Sequence, residues 1–215
     1  MIERHNSICV SRPKFEEILK VNGNIFDFKD ALFFDLEHYI YRKPICIGVF
    51  GCCIYNCNKG ELEVTQYMIE NKDDSNLILK FAEDYFINMW NRGKRYIVTF
   101  SGNNDFTVIN YLFKKYDLKF DILEHFFHID LQKQYEKENN TSIGLKNLEK
   151  EFDIIRESEV ISGSNLAKTF SKIMKDSKYI NRMPKDKIKK ILLYNEQDVV
   201  SLFYMCAKWK SVFFN

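Results

Sequence analysis

A chain of 215 residues with 46% hydrophobic residues, among them 19 Phe and 12 Tyr, has the material for one domain with a substantial core, and 29% charged residues exclude a disordered polymer. A formal net charge of +2 is too small to argue for a polyanionic partner by itself, so any basic surface must be local. No apolar run approaches the roughly 20 residues that span a bilayer, and the charged opening MIERHNSICVSRPKFEEILK lacks the apolar segment of a secretory signal.

That reading implies no membrane association and a cytoplasmic location with the six cysteines reduced. Residues 1–30 carry no recognisable pattern and form a lead-in of unassigned role; residues 31–215 read as one domain. Residues 31–36 (ALFFDL), KPICIGVFGCCIY and ELEVTQYMI read as three consecutive strands, the last two joined by the hairpin-length turn NCNKG. Cys46, Cys52, Cys53 and Cys57 fall in the second of these strands and its turn. Their spacing does not match the paired C-x-x-C pattern of zinc sites, so they read as small buried hydrophobes, with a metal site as the alternative.

DDSNLILKFAEDYFINMWNRG follows as a helix, with Leu77, Phe81, Tyr85 and Met89 at helical spacing and Gly93 at its end. KRYIVTFSG reads as a buried strand, DFTVINYLFKKY as a helix, EHFFHIDLQ as a short strand entering a helix, and the chain from Leu145 onward as helical. Three antiparallel strands, then strands alternating with helices, are the order of a ribonuclease-H-like α/β fold with a mixed sheet, an order that other folds share.

Asp35 and Glu37 break an apolar strand, and their spacing puts both carboxylates on one face. Two like charges desolvated together lose protons reluctantly unless a cation lies between them, which points to a divalent metal; the alternative is an edge strand with both acids in water. Asp105 follows the strand RYIVTFSGNN and reads equally as a helix N-cap or as a ligand at the carboxyl end of a sheet strand. In LLYNEQDVVSLFYM, Tyr194 and Asp198 are four apart and project from one helix face, bordering the apolar Val199, Leu202 and Phe203. Arg182, Lys185, Lys187, Lys189 and Lys190 precede that motif and suit either phosphate contacts or a solvated helix face. Phe106 is a further candidate, for stacking on a base.

Asp-x-Glu on a first strand, an Asp after a later strand and Tyr-x-x-x-Asp on a late helix resemble the DEDDy group of 3′–5′ exonucleases. With FHIDLQ, SIGLKNLEKEFDI, ISGSNLAKTF and LLYNEQDVVSLFYM in collinear order, residues 31 to 207 look like the YprB-like exonucleases of the ribonuclease-H-like superfamily. The pattern departs at the second acid, where Asn104 stands in place of an aromatic.

The resemblance implies a two-metal nuclease acting on 3′ ends of single-stranded DNA or RNA. Asp35 would bridge two Mg²⁺ or Mn²⁺ ions, Glu37 and Asp198 would complete one site and Asp105 the other. Tyr194 would orient the water or the scissile phosphate, and Asp130 would be a supporting residue. Lys185, Lys189, Lys190 and Arg182 would contact the nucleic acid. Two alternatives remain open: a nucleic-acid-binding module with weak or lost catalysis, and a structure-specific endonuclease using the same carboxylates.

Overall fold

The computed structural model of the chain describes residues 1–21, 24–25, 28–157 and 161–213. Its centre is a six-stranded sheet in the order β1-β6-β5-β4-β7-β8, formed by β1 (Ile2–Cys9), β4 (Ala31–Tyr41), β5 (Lys43–Asn56), β6 (Glu61–Met68), β7 (Tyr96–Thr99) and β8 (Phe127–Asp130). The short pair β2 (Lys20–Val21) and β3 (Asn24–Ile25) stands apart from it. Strands β4, β5, β6 and β1 are antiparallel neighbours, whereas β7 runs parallel to β4 and β8 parallel to β7. The expected mixed sheet is therefore present, with β4 at the junction of its two halves.

Strand β5 is the middle of the antiparallel half and is buried continuously from Cys46 to Tyr55, which explains its unbroken apolar run. Alternate side chains of the neighbouring β4 enter two cores. Leu32, Phe34 and Leu36 of β4 pack with Ile78 and Phe86 of α1 (Asp74–Asn91) and with Ile109 and Leu112 of α2 (Asn103–Lys115). Ala31 and Phe33 point the other way, to Val199, Leu202 and Phe203 of α8 (Lys185–Phe213).

Helix α1 meets the sheet along Ile78, Ala82, Tyr85, Phe86 and Met89, so its core stripe is rotated from the expected one and Leu77 is exposed. Helices α3 (Ile122–His125), α4 (Leu131–Asn139), α5 (Leu145–Glu151), α6 (Gly163–Lys175) and α7 (Tyr179–Arg182) fill the connections. Phe106 is buried against Phe34 and His128, so it has no free face on which a base could stack.

The lead-in contributes more to the sheet than its pattern suggests. β1 is an edge strand whose inward row includes Arg4 and Asn6, both bonded to Glu196 of α8 at 3.1 and 3.0 Å. Cys46, Cys52 and Cys53 are buried and Cys57 is exposed, all as free thiols. Burial pushes the Cys46 and Cys52 thiols up to about 12, as expected of packing residues. Among the described residues, no cysteine belongs to a cluster of three or more potential metal donors.

Candidate active site

Parallel pairing between β7 and β4 stops at Phe33, while antiparallel pairing with β5 continues through Asp35 opposite Gly51 and Glu37 opposite Val49. Beyond Phe33 one side of β4 is thus released from the sheet, at the C-terminal end of β7. Such a divergence is where open α/β sheets bind ligands. Strand alternation then presents Asp35 and Glu37 together on the face that α8 covers.

Helix α8 supplies the rest of the cluster. Ligand oxygens of Asp35, Glu37 and Asp198 lie within 4.8 Å of one another. Between Tyr194 and Asp198 stands Asn195, fully buried; its Nδ2 donates to Asp35 Oδ2 at 2.9 Å and its Oδ1 accepts from Gln66 Nε2 at 2.8 Å. Arg4 donates in turn to Gln66 Oε1 at 3.1 Å. A hydrogen-bonded chain therefore runs from the edge strand to Asp35. Gly51 makes it possible, because a Cβ at that position would overlap the Asn195 amide.

Asn195 was noticeable in the sequence as part of its motif, but Gln66 and Arg4 carried no signal. A glycine in the interior of an apolar strand was the available hint that another group approaches closely.

Two cations converge on Asp198. Lys146 Nζ donates to its Oδ1 at 2.5 Å, and the Arg156 guanidinium reaches the same oxygen. Arg156 also forks onto Glu149, with Nε to Oε2 at 2.7 Å, and Glu149 is only 2% exposed. Lys146 Nζ and Arg156 Cζ lie 4.6 and 5.3 Å from the centre of the Tyr194 ring, in cation–π range. Lys146 lies within SIGLKNLEKEFDI, whereas Arg156 meets Asp198 only through the fold of the loop after α5 against α8.

Asp105 sits in the first turn of α2, which is capped by Gly102, so the N-cap reading does not apply. It is 8% exposed and outside the three-carboxylate cluster. His38 Nδ1 lies 3.6 Å from Asp105 Oδ1, and Asn104 Nδ2 lies 3.0 Å from His38 Nε2. Burial lowers the His38 pKa. A neutral ring accepting from Asn104 carries its proton on Nδ1, facing Asp105. The residue that departs from the resembled pattern thus holds a histidine against the acid beside it. Asp130 accepts from the Ser101 and Gln132 backbone N–H groups at 2.9 and 3.1 Å, bracing the turn into α2 and the start of α4.

Burial, then the Asp198 charge, raises the Asp35 carboxyl from 3.8 to about 7, against the Asn195 hydrogen bond and the charges of Lys146 and Arg156. Glu37 is held well above its ordinary range by burial and then by Asp35, Asp198 and Asp105; Asp105 is raised by burial and then by Asp35, Asp130 and Asp198. Carboxyls crowded in this way keep protons unless a cation neutralises them. Three hard oxygen donors within 4.8 Å of one another suit a hard divalent cation such as Mg²⁺ or Mn²⁺.

The candidate nucleic-acid contacts divide. Lys190 lines a cleft between α6 and α8; Arg182 pairs with Asp176, and Lys185 and Lys189 are exposed outside that cleft.

A mixed sheet flanked by helices, with acids gathered where its parallel and antiparallel halves part, defines a ribonuclease-H-like domain. The family model RNase_H_2, of the RNase H superfamily, matches residues 32–210, and the chain belongs to that family. No curated protein and no solved structure matches the chain. Among the described residues no helix is long and apolar enough to cross a membrane.

Proposed function

We propose that this protein is a divalent-metal-dependent nuclease that hydrolyses phosphodiester bonds, removing nucleotides from the 3′ ends of single-stranded DNA or RNA in the cytoplasm. The observation that carries the reading is the convergence of Asp35, Glu37 and Asp198 from two distant segments within 4.8 Å, in a superfamily whose nucleases use such acids. The 3′ polarity rests on the order of motifs shared with the YprB-like and DEDDy enzymes.

Asp35, Glu37 and Asp198 would hold one Mg²⁺ or Mn²⁺, with Asp35 and Asp105 holding the other. Bound there, the ions would lower the pKa of water and neutralise charge developing on the phosphate. Asn195 fixes the Asp35 carboxylate. Burial and then the Asp198 charge push the Tyr194 hydroxyl above its ordinary range, so it stays protonated and acts as a hydrogen-bond donor to phosphate or an acceptor from water, not as a base. Lys146 and Arg156 hold fixed positive charge beside Asp198, suited to a phosphate oxygen. Lys185, Lys189, Lys190 and Arg182 would meet the backbone farther out.

The test is digestion of 5′-labelled single-stranded DNA and RNA in Mn²⁺, Mg²⁺ or EDTA, with Asp35→Asn and Asp198→Asn alongside and a circular substrate to separate endonuclease action. A metal-dependent ladder shortening from the 3′ end and lost in both variants is expected; undiminished cleavage by both variants refutes the assignment. A second reading, a nucleic-acid-binding module with little catalysis, is favoured by one observation: Lys146 and Arg156 already neutralise Asp198. Mn²⁺ titration separates the two, since a pure binder takes up no pair of tight ions.

A further inference from the structure

The net charge of +2 hides a strongly basic cleft. Lys168 and Lys172 stand four apart on α6, and Lys187 and Lys190 three apart on α8; all four are exposed and face a cavity of about 540 Å³. Asp186 is the one carboxylate in the lining, and none of the four lysines forms an ion pair among the described residues. Four lysines with one carboxylate make the cleft locally basic, and a strand whose phosphates they neutralise gains free energy by releasing its condensed counterions.

The cleft is also in line with the carboxylates. Lys187, Lys190, Tyr194 and Asp198 recur at three- and four-residue intervals on α8, so they form one stripe. At 1.5 Å per residue, Lys190 is about 6 Å from Tyr194 along the axis and Lys187 about 16 Å from Asp198. Tyr179 lines the same cavity, with Lys172 Nζ 5.6 Å from its ring centre, and offers an aromatic edge to a passing base.

We propose that the cleft between α6 and the start of α8 binds the sugar–phosphate backbone of a single polynucleotide strand upstream of the bond at the carboxylates, independently of base sequence. The proposal rests on the nuclease reading above and names the path by which its substrate enters. Lysines contact phosphate as point charges and read no base edge.

The experiment uses the full chain and fluorescein-labelled dT12 and rU12 in EDTA, with anisotropy read from 50 to 200 mM KCl. Lys168→Gln/Lys172→Gln and Lys187→Gln/Lys190→Gln should each weaken both oligonucleotides about tenfold at 100 mM KCl. Each should also reduce the slope of log affinity against log salt by about 1.4, at about 0.7 per lost single-strand phosphate contact. Lys114→Gln/Lys115→Gln, at the far end of α2, should change neither. Unaltered melting temperatures check that the variants are folded.

Wild-type affinity and slope in both cleft variants, with cleavage by the wild-type protein intact, overturn the cleft and spare the nuclease. Wild-type protein that neither binds nor cleaves either oligonucleotide overturns both. Poly-glutamate that binds as tightly as dT12 and is lost in the same variants makes the cleft a general polyanion surface and also overturns the proposal.

Discussion

Asp35→Asn should stabilise the metal-free protein while abolishing its response to metal. A carboxyl raised from 3.8 to about 7 holds a proton in the folded state that the unfolded chain has already released over that interval. The native state therefore binds more protons than the unfolded state, and stability falls as pH rises from about 4 through 7, then levels off. At about 1.4 kcal/mol per pKa unit the full effect of Asp35 is about 4 kcal/mol, and the raised pKa values of Glu37 and Asp105 act in the same direction.

Asparagine removes that charge, and its Oδ1 still accepts from Asn195 Nδ2. Thermal unfolding in EDTA should therefore show the variant gaining on wild type by roughly 5–10 °C between pH 5 and pH 8, using about 2–4 °C per kcal/mol for a chain of this size. Mn²⁺ at 100 times its dissociation constant should return about 2.7 kcal/mol to the wild type at pH 8 and nothing comparable to the variant. A variant less stable than wild type in EDTA at pH 8, or a difference that does not change with pH, would show that the fold does not hold the Asp35 carboxyl protonated.

Arg156→Ala leaves Glu149 buried without its fork and should cost about 3–5 kcal/mol in urea unfolding; Arg156→Lys, which cannot make two parallel bonds, should recover less than half. Gly51→Ala drives a methyl into the Asn195 amide and should cost about 1–3 kcal/mol in the same assay, with weaker Mn²⁺ binding because Asn195 orients Asp35. His38→Ala and Asn104→Phe should each weaken Mn²⁺ binding, read by calorimetry, and the double variant should do little more than either single one; full additivity would show that the two residues do not act together on Asp105.

Much of the candidate site was legible because its chemistry is local in sequence. Acid-x-acid within ALFFDLEHYI and Tyr-x-x-x-Asp ahead of VVSLF each define a face through one helical or strand period. Those faces were oriented by the apolar residues beside them. Asp105 was readable as a position but not as a role, since its alternative as a cap depended on where α2 begins, and that is decided by the turn at Ser101 and Gly102. The basic segment before Tyr194 was visible as composition only. Which lysines share a cleft depends on α6, whose Lys168 and Lys172 lie well away from it in sequence.

The alternation of strands and helices, the central apolar strand β5, and the pair of acids that an apolar strand tolerates poorly are all written in local stretches of the chain. Periodicity and desolvation act over a few residues, so a linear reading captures them. That Ile2–Cys9 closes the sheet edge emerges only in the fold, since its inward row carries Arg4 and Asn6 in place of an apolar stripe. The same holds for the chain of hydrogen bonds that Arg4, Gln66 and Asn195 form to Asp35, and for the meeting of Lys146 and Arg156 at Asp198. Hydrogen bonds and ion pairs between residues scores of positions apart have no period in the chain; they exist only where packing brings a donor within about 3 Å of its acceptor.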